Sequence, residues 1–326
     1  MANSRKSLVT ETSAARLADR VADCLDRHVR PQERLVLGLS GGVDSVCLLH
    51  ALSQCRAGRD FHLTAVHVHH GLSPNADRWA AFCEALCLRY DVPFNCVRVE
   101  VERGTGEGLE AAARRARHAA LARSGADWIL LAHHRDDQAE TLLFNLLRGA
   151  GLAGAAAMRM HRGRLLRPWL AVGRSEILEY AQEHGLEWIE DESNADVRHT
   201  RNFLRHEVIP RLARRFPAAV KNLAAAAGRF AEAQELLDEL ARLDLGQHCD
   251  FPVSVARLAA LSEARARNAL RFLLARQAVM VPSDARLHEA VRQLLTAAPD
   301  RHPSIPLGRH RLIRRRGMIY LESLEP

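Results

Sequence analysis

The chain predicts an α/β fold: a doubly wound parallel sheet followed by a smaller, mainly helical carboxyl-terminal domain. Three observations predict it. Strand-like and helix-like segments alternate four times between residues 34 and 147. A glycine turn joins the first strand of that series to its helix, and near residue 216 the alternation gives way to long alanine-rich helical sequence. Such alternation calls for parallel strands joined by crossover helices.

Residues 12–29 read as an amphipathic helix that Pro31 ends. "RLVLGL" is then a strand and Val43–Arg56 a helix; "FHLTAVHV" is a strand and Pro74–Arg89 a helix. "PFNCVRVEV" and Gly108–Arg123 form the third pair, "DWILLA" and Asp136–Leu147 the fourth. The glycine- and alanine-rich stretch from Gly149 to Leu170 carries no clear period, and helices are expected over Gly173–Gly185 and Val197–Phe216. Beyond Phe216 come the long helix, more helices, and "HRLIRRRGMIYLES" as a β-hairpin. The expected domains are therefore 1–216 and 217–326.

At 326 residues, 48% hydrophobic and 26% charged, the composition is that of a globular chain with a sizeable core. No apolar run approaches the ~20 residues of a membrane span, and the amino terminus has no apolar signal core. Seven cysteines without a framework spacing predict reduced thiols and a cytoplasmic protein, with Cys83 and Cys87 as packing residues. The net charge is +7, almost all of it arginine: only Lys6 and Lys221 are lysines. Arginine clusters such as "AARRARHAALAR" suit phosphate, but they equally suit a chain that simply prefers arginine on solvated faces.

Ligands of a parallel sheet sit at the carboxyl ends of its strands. Here that rule selects Gly38–Ser45, His67–Gly71, Glu100–Gly108 and His133–Asp137. In the first segment, Gly41 and Gly42 allow close approach of an anion, while Ser40 and Ser45 offer hydroxyls beside a helix N-terminus. A plain strand-to-helix turn would use the same glycines, and Gly38-x-Ser40-x-Gly42 also fits a hydrolase nucleophile elbow. No phosphate-loop lysine follows. Instead there is Asp44, which belongs beside phosphate only if a divalent cation bridges them, or which serves as an ordinary first-turn acid.

Asp136, Asp137 and Glu140 place three acids in one helical turn, suited to a metal or an ammonium group, or to capping the helix. His133 and His134 precede them, and His69 and His70 close the second strand; zinc ligation by these histidines is a further reading, against their spacing. Glu110 and Arg114, four apart, are either a surface ion pair or an oriented phosphate clamp.

The loop "SGGVDS", Ser40–Ser45, matches the SGGxDS signature of the PP-loop ATP pyrophosphatase superfamily. Within it, the chain resembles the tRNA(Ile)-lysidine synthetases, collinearly over about residues 30–216. The carrying segments are "VHVHHGLSPNADRWAAFCE", "EAAARRAR", "AHHRDDQAETLLFNLLRGAGLAGAAAM", "LLRPWLAVGRSEILEYAQEHGLEWIEDESNAD" and "TRNFLRHEVIPRL". Glu192 stands where the family has a proline, and Arg117-His118 replaces a common tyrosine. Longer members carry a further carboxyl-terminal domain for which this chain has no room.

The resemblance implies that ATP adenylates the wobble cytidine of tRNA(Ile) with a CAU anticodon and that L-lysine then displaces AMP. It implies ATP and Mg²⁺ as cofactors, with Ser40, Gly41, Gly42, Val43, Asp44, Ser45, Val66, His67 and His69 binding nucleotide. Asp44, Asp136 and Asp137 would hold metal, and Asp44, Arg114, His133, Asp137, Glu140 and Arg205 would act in catalysis. Oligomeric state is left open, a homodimer included. A tRNA 2-thiocytidine-type thiolase is the nearest rival, disfavoured because no Cys-x-x-Cys occurs. A serine hydrolase would rest on Ser40, and a non-catalytic RNA-binding protein would leave the acids beside the loop unexplained.

Overall fold

The computed structural model describes residues 13–101, 109–298 and 300–324. It divides into two units, one of residues 1–148 with 157–228 and one of 149–156 with 229–326. In the first, α1 (Ser13–His28) leads to β1 (Arg34–Gly38), α2 (Val43–Cys55), β2 (His62–His69), α3 (Ala76–Arg89) and β3 (Phe94–Arg98). Next come α4 (Leu109–Ala122), β4 (Trp128–Leu130) and α5 (Arg135–Leu147). The four expected strand–helix pairs are thus present, with Gly108 outside the described residues.

The stretch without a period contains a short helix, α6 (Leu152–Ala155), which belongs to the second unit, and then a two-residue hairpin, β5 (His161–Arg162) and β6 (Leu165–Leu166). Such short strands are below the reach of any periodicity, yet β6 extends the sheet beside β4. The strand order is β3-β2-β1-β4-β6-β5, parallel except for β5 against β6. Because β1 connects outward to β2 on one side and pairs with β4 on the other, the order reverses between β1 and β4. A crevice opens at the carboxyl ends of strands at such a reversal.

Alternate strand residues feed the two faces. Leu35, Leu37, Leu63, Ala65, Leu130 and Leu166 pack with Leu17, Val21 and Leu25 of α1, with α2, and with Ile177 and Tyr180 of α7 (Arg174–Glu183). Val36, Val66, Val68, Ile129 and Leu131 pack with Ala120 and Leu121 of α4. Helix α2 is buried on nearly every side, and each of its fully buried aliphatic side chains contributes roughly 1.5–3 kcal/mol. Polar groups in this interior are paired: His50 Nδ1 meets the Tyr180 hydroxyl at 2.7 Å, and Trp169 Nε1–H donates to the Leu17 carbonyl.

The helix expected over Val197–Phe216 is helical from Thr200 to Arg215 but changes pitch: α8 (Thr200–Phe203), a π-helical stretch over Leu204–Val208, then α9 (Ile209–Arg215). Pro210 lies at the start of α9. Its ring cannot donate to the turn before it, and a widened π turn absorbs the missing bond.

The division between units falls inside α10 (Ala219–Leu245). The second unit continues with β7 (Val253–Ser254), α11 (Val255–Ala259), α12 (Glu263–Arg276) and α13 (Asp284–Thr296). It ends in β8 (Ser304–Leu307), β9 (His310–Arg315) and β10 (Met318–Ser323). The expected hairpin is β9–β10, and it sits in a four-stranded antiparallel sheet of order β7-β10-β9-β8 packed on Leu270, Leu273 and Leu294. Cys24, Cys47, Cys55, Cys83 and Cys87 are buried free thiols, and among the described residues no helix is long and apolar enough to cross a membrane.

The turn from β1 to α2 depends on Gly41, which has φ +88°; a Cβ there would lie 2.8 Å from Ile189 Cδ1 and 3.2 Å from Cys83 Sγ. At Gly42 the nearest atom to such a Cβ is Ser40 Oγ at 3.6 Å. Urea unfolding should therefore show Gly41→Ala losing at least about 1 kcal/mol and Gly42→Ala losing less; the reverse order would refute this account of the turn.

Candidate functional site

Two segments meet at the sheet's reversal: the loop after β1 and the segment after β4. The loop is tied down by its own polar groups. Ser45 Oγ donates to the Gly42 carbonyl at 3.0 Å, lies 3.0 Å from Ser40 Oγ, and accepts from Ser40 N–H. Leu39 N–H donates to the Val66 carbonyl, and Ile189 N–H to the Gly41 carbonyl. The first backbone N–H groups of α2 carry the positive end of the helix dipole, a setting for anions. Among the described residues the Ser40 hydroxyl has only Ser45 and Gly42 as partners, so no histidine base activates it.

Asp44, in the first turn of α2, is 31% exposed as a side chain, but its Oδ1 is buried without a hydrogen-bond donor. His134 Nε2 stands 3.6 Å from that oxygen, beyond hydrogen-bond reach. Burial pushes the Asp44 carboxyl up, and the Asp137 charge adds to this, against His134, Arg174 and Arg205. A buried carboxylate oxygen with no donor fits a cation. Mg²⁺ asks for only one or two carboxylates, its other ligands being phosphate and water. Among the described residues no group of three His, Cys, Asp or Glu side chains converges as a full metal cage would need.

His134 caps α5: its Nδ1 accepts from Asp137 N–H, while Asp137 Oδ2 accepts from His134 N–H at 3.0 Å. Asp136 Oδ2 accepts from Arg174 N–H at 3.0 Å. Glu140, 3% exposed, receives Arg205 in two bonds, Nε–H to Oε1 at 2.7 Å and Nη2–H to Oε2 at 2.9 Å. Arg205 Nη2 also donates to Asp137 Oδ1 at 3.0 Å. Burial raises the Glu140 carboxyl, opposed by Arg205; burial works against the Arg205 charge, but the bonds it donates to Glu140 hold it up. Arg205, Asp137 and Glu140 thus form one ionic unit, brought together although 65 residues separate Arg205 from Glu140.

The nucleotide-binding candidates of β2 fall on opposite faces. Val66 is buried against α4's side of the sheet, whereas His67 Nδ1 bonds the Leu39 carbonyl at 2.9 Å and lies 3.7 Å from Cys83 Sγ. His69 Nε2 is 3.2 Å from Asp77 Oδ1 but too poorly aligned to bond it. These three mark the end of β2 rather than share one ligand surface.

Opposite the acids lies an excess of cations. Arg114 and Arg117 of α4 have no hydrogen-bonded carboxylate among the described residues; the Glu110 side chain lies outside them. Burial lowers Arg114 to about 10, and the charges of Arg201, Arg117 and Arg167 add to this. Burial lowers Arg117 and brings Arg167 to about 10. Burial with the Arg117, Arg114 and Arg167 charges brings His118 down to about 4, and burial with Arg167 holds His133 well below the usual histidine range. Sequence reasoning noted Arg117 only as a departure from the family's tyrosine, although it lies three residues after Arg114 on one helix, and it missed Arg167, which sits in no spaced pattern with another site residue.

Residues 10–212 match the model of the PP-loop domain and residues 254–320 that of the TilS substrate binding domain. The tRNA(Ile)-lysidine synthase of Aromatoleum aromaticum is 51% identical over 299 residues, covering 90% of this chain and 70% of that one. The synthases of Azoarcus sp. and Nitrosomonas europaea are 49% and 44% identical, with 66% and 64% of their lengths covered. The chain thus spans about two thirds of the length of these relatives. Among solved structures, the U34-tRNA thiolase NcsA from Methanococcus maripaludis is similar in fold, with TM-score 0.58 at 16% identity over 68% of this chain and 80% of that one.

Two outcomes follow from the buried charges. Arg205→Met should cost about 3 kcal/mol in urea unfolding by leaving Glu140 buried and unpaired, and adding Glu140→Gln should recover part of it; equal stability of single and double variants would contradict the pairing. His118 resists protonation in the folded state, so the unfolded chain binds the extra proton below about pH 6.5 and stability falls toward pH 4. His118→Gln should flatten the slope of stability against pH in that window, and an unchanged slope would show that His118 is not held neutral.

Proposed function

The chain belongs to the tRNA(Ile)-lysidine synthase family, and from that membership we propose that it joins L-lysine to C2 of the wobble cytidine of tRNA(Ile) with a CAU anticodon. ATP is consumed to AMP and pyrophosphate through an adenylated cytidine. The single observation that carries this reading is Asp44: a carboxylate with an open buried oxygen, at the helix end where a phosphate loop binds its anion. The dispersed, mostly buried cysteines speak against a thiolase.

In this reading the loop Ser40–Ser45 and the first N–H groups of α2 cradle the pyrophosphate, and Gly42, which carries no side chain, lets the phosphate come close to the backbone. Adenine docks beside the carboxyl end of β2, past Val66 and His67, whose side chains turn to opposite faces of the sheet. Asp44, with Asp136 or Asp137, would hold Mg²⁺, which supplies charge neutralisation between the carboxylates and the phosphates. Arg114 offsets negative charge as pyrophosphate departs, a contribution of about 3 kcal/mol. The Asp137–Arg205–Glu140 unit presents both signs of charge side by side, which suits an amino-acid zwitterion. Only the neutral amine of lysine is a nucleophile, so a nearby base must take its proton; Asp137, Glu140 and His133 are the groups within this region. Residues 1–216 would carry the chemistry and 217–326 would contact the tRNA.

The test is incubation with ATP, labelled lysine and tRNA(Ile) bearing CAU, with tRNA(Met) as control. Label should enter tRNA(Ile) alone, with AMP formed in step. Asp44→Asn should lower AMP formation by at least about a hundredfold, and a variant with full activity would overturn the role of Asp44.

A further inference from the structure

Arg167 is 5% exposed and carries a charge that no carboxylate answers among the described residues. An arginine so buried is costly to hold unless its charge and its donors are used. The backbone fixes it well. Arg167 directly follows β6, its N–H donates to the Met160 carbonyl at 2.8 Å, and Leu131 N–H donates to the Leu166 carbonyl at 3.0 Å. It therefore starts level with the end of β4, from which His133 emerges. Its Nη1–H donates to the Arg159 carbonyl at 2.8 Å, which anchors the guanidinium, and its Nε–H donates to His133 Nδ1, 3.1 Å away.

We propose that Arg167 is a positioning residue for the reaction. Its Nε–H, donated to His133 Nδ1, fixes the imidazole in the tautomer with its proton on Nε2 and turns it into a hydrogen-bond donor toward the substrates. A guanidinium donates and never accepts, so the ring nitrogen facing it must be the one with the lone pair. Arg117, Arg114 and His118 also face His133, and burial with the charges of Arg167, Arg117 and Arg114 keeps the ring neutral. A neutral ring with Nδ1 occupied and Nε2 protonated has no free lone pair for a substrate proton. The base for the lysine ammonium is then a carboxylate of the Asp137–Glu140 pair, and His133 serves to hold an acceptor oxygen of the reacting groups. The inference rests on the lysidine-forming reading for the reaction, but the tautomer is a property of the protein alone.

The closing experiment separates the two. Protein labelled with ¹⁵N-histidine, with His133→Gln to identify the signal, should show His133 protonated on Nε2 in long-range ¹H–¹⁵N spectra at neutral pH. Arg167→Gln keeps an N–H donor at the chain position of Nε without the charge, whereas Arg167→Met puts a methyl group there. Arg167→Met should lose the tautomer preference and lower kcat for AMP formation about 10–100-fold, with KM for ATP within about threefold. Arg167→Gln should keep the tautomer and retain about tenfold more activity than Arg167→Met. A wild-type His133 protonated on Nδ1, or Met and Gln variants alike in both tautomer and kcat, would overturn the proposal. If neither variant folds, the wild-type spectrum decides it. A wild type with the expected tautomer that forms no AMP with lysine and tRNA would overturn the functional reading and leave the role of Arg167 in fixing the ring.

Discussion

The bidentate bond between Arg205 and Glu140 is the interaction on which the site depends. It ties the helical return of the chain, Thr200–Arg215, to the helix that starts at the end of β4. The carboxylate is almost wholly buried and would be strongly disfavoured alone; the guanidinium makes its charge tolerable, and Asp137 accepts a further bond from Arg205 Nη2. The π-helical stretch carries this arginine: Arg205 lies within the widened turn before Pro210. The irregularity that a proline forces on the backbone is thus placed where a side chain must be aimed, a frequent setting for π turns.

From that bond, charge passes along a chain of neighbours. Asp137 accepts from Arg205 and from the backbone of His134, and the His134 ring lies between Asp137 and Asp44. Every acid on this line except Asp44 has a donor for the oxygen that faces inward. Asp44 alone keeps a buried oxygen open, at the N-terminus of a helix whose dipole would favour its charge, although the rest of its side chain is partly exposed. An open acceptor in such a place is strained in free energy, and a cation shared with phosphate is the ligand that relieves it.

Much of the frame was legible because it is periodic. Four strand–helix pairs, the glycine loop and the acids after β4 follow from spacing and from the rule that ligands gather at strand ends. What spacing could not show was pairing across the chain. That Glu140 would be answered by Arg205, rather than stand free, depends on how residues 200–215 fold back, and no local pattern encodes it. The β5–β6 hairpin is two residues per strand, too short to carry a period, yet it delivers Arg167 to His133. The strands of the second unit were hidden similarly: β7 and β8 are short and only the β9–β10 hairpin, with Gly317 at its turn, announces itself.

The two sides of the crevice finally oppose each other in charge. On the α5 side the acids are capped, paired or open to a cation. On the α4 side stand Arg114 and Arg117, with Arg167 after β6; burial lowers the pKa of all three, the Arg201 charge adds to this at Arg114 and Arg117 and the Arg162 charge at Arg167, while Asp137 opposes it at Arg114 and Arg117. A folded protein gains nothing in stability from holding like charges together away from water. The arrangement makes sense only for a ligand that brings more negative charge than the acids supply, such as a triphosphate beside a nucleic-acid backbone. Such preorganised cations need no reorganisation when charge develops on a leaving group, and they also hold the two histidines among them neutral. The same burial that costs the free protein stability is therefore what sets the protonation state of His133 before any substrate arrives.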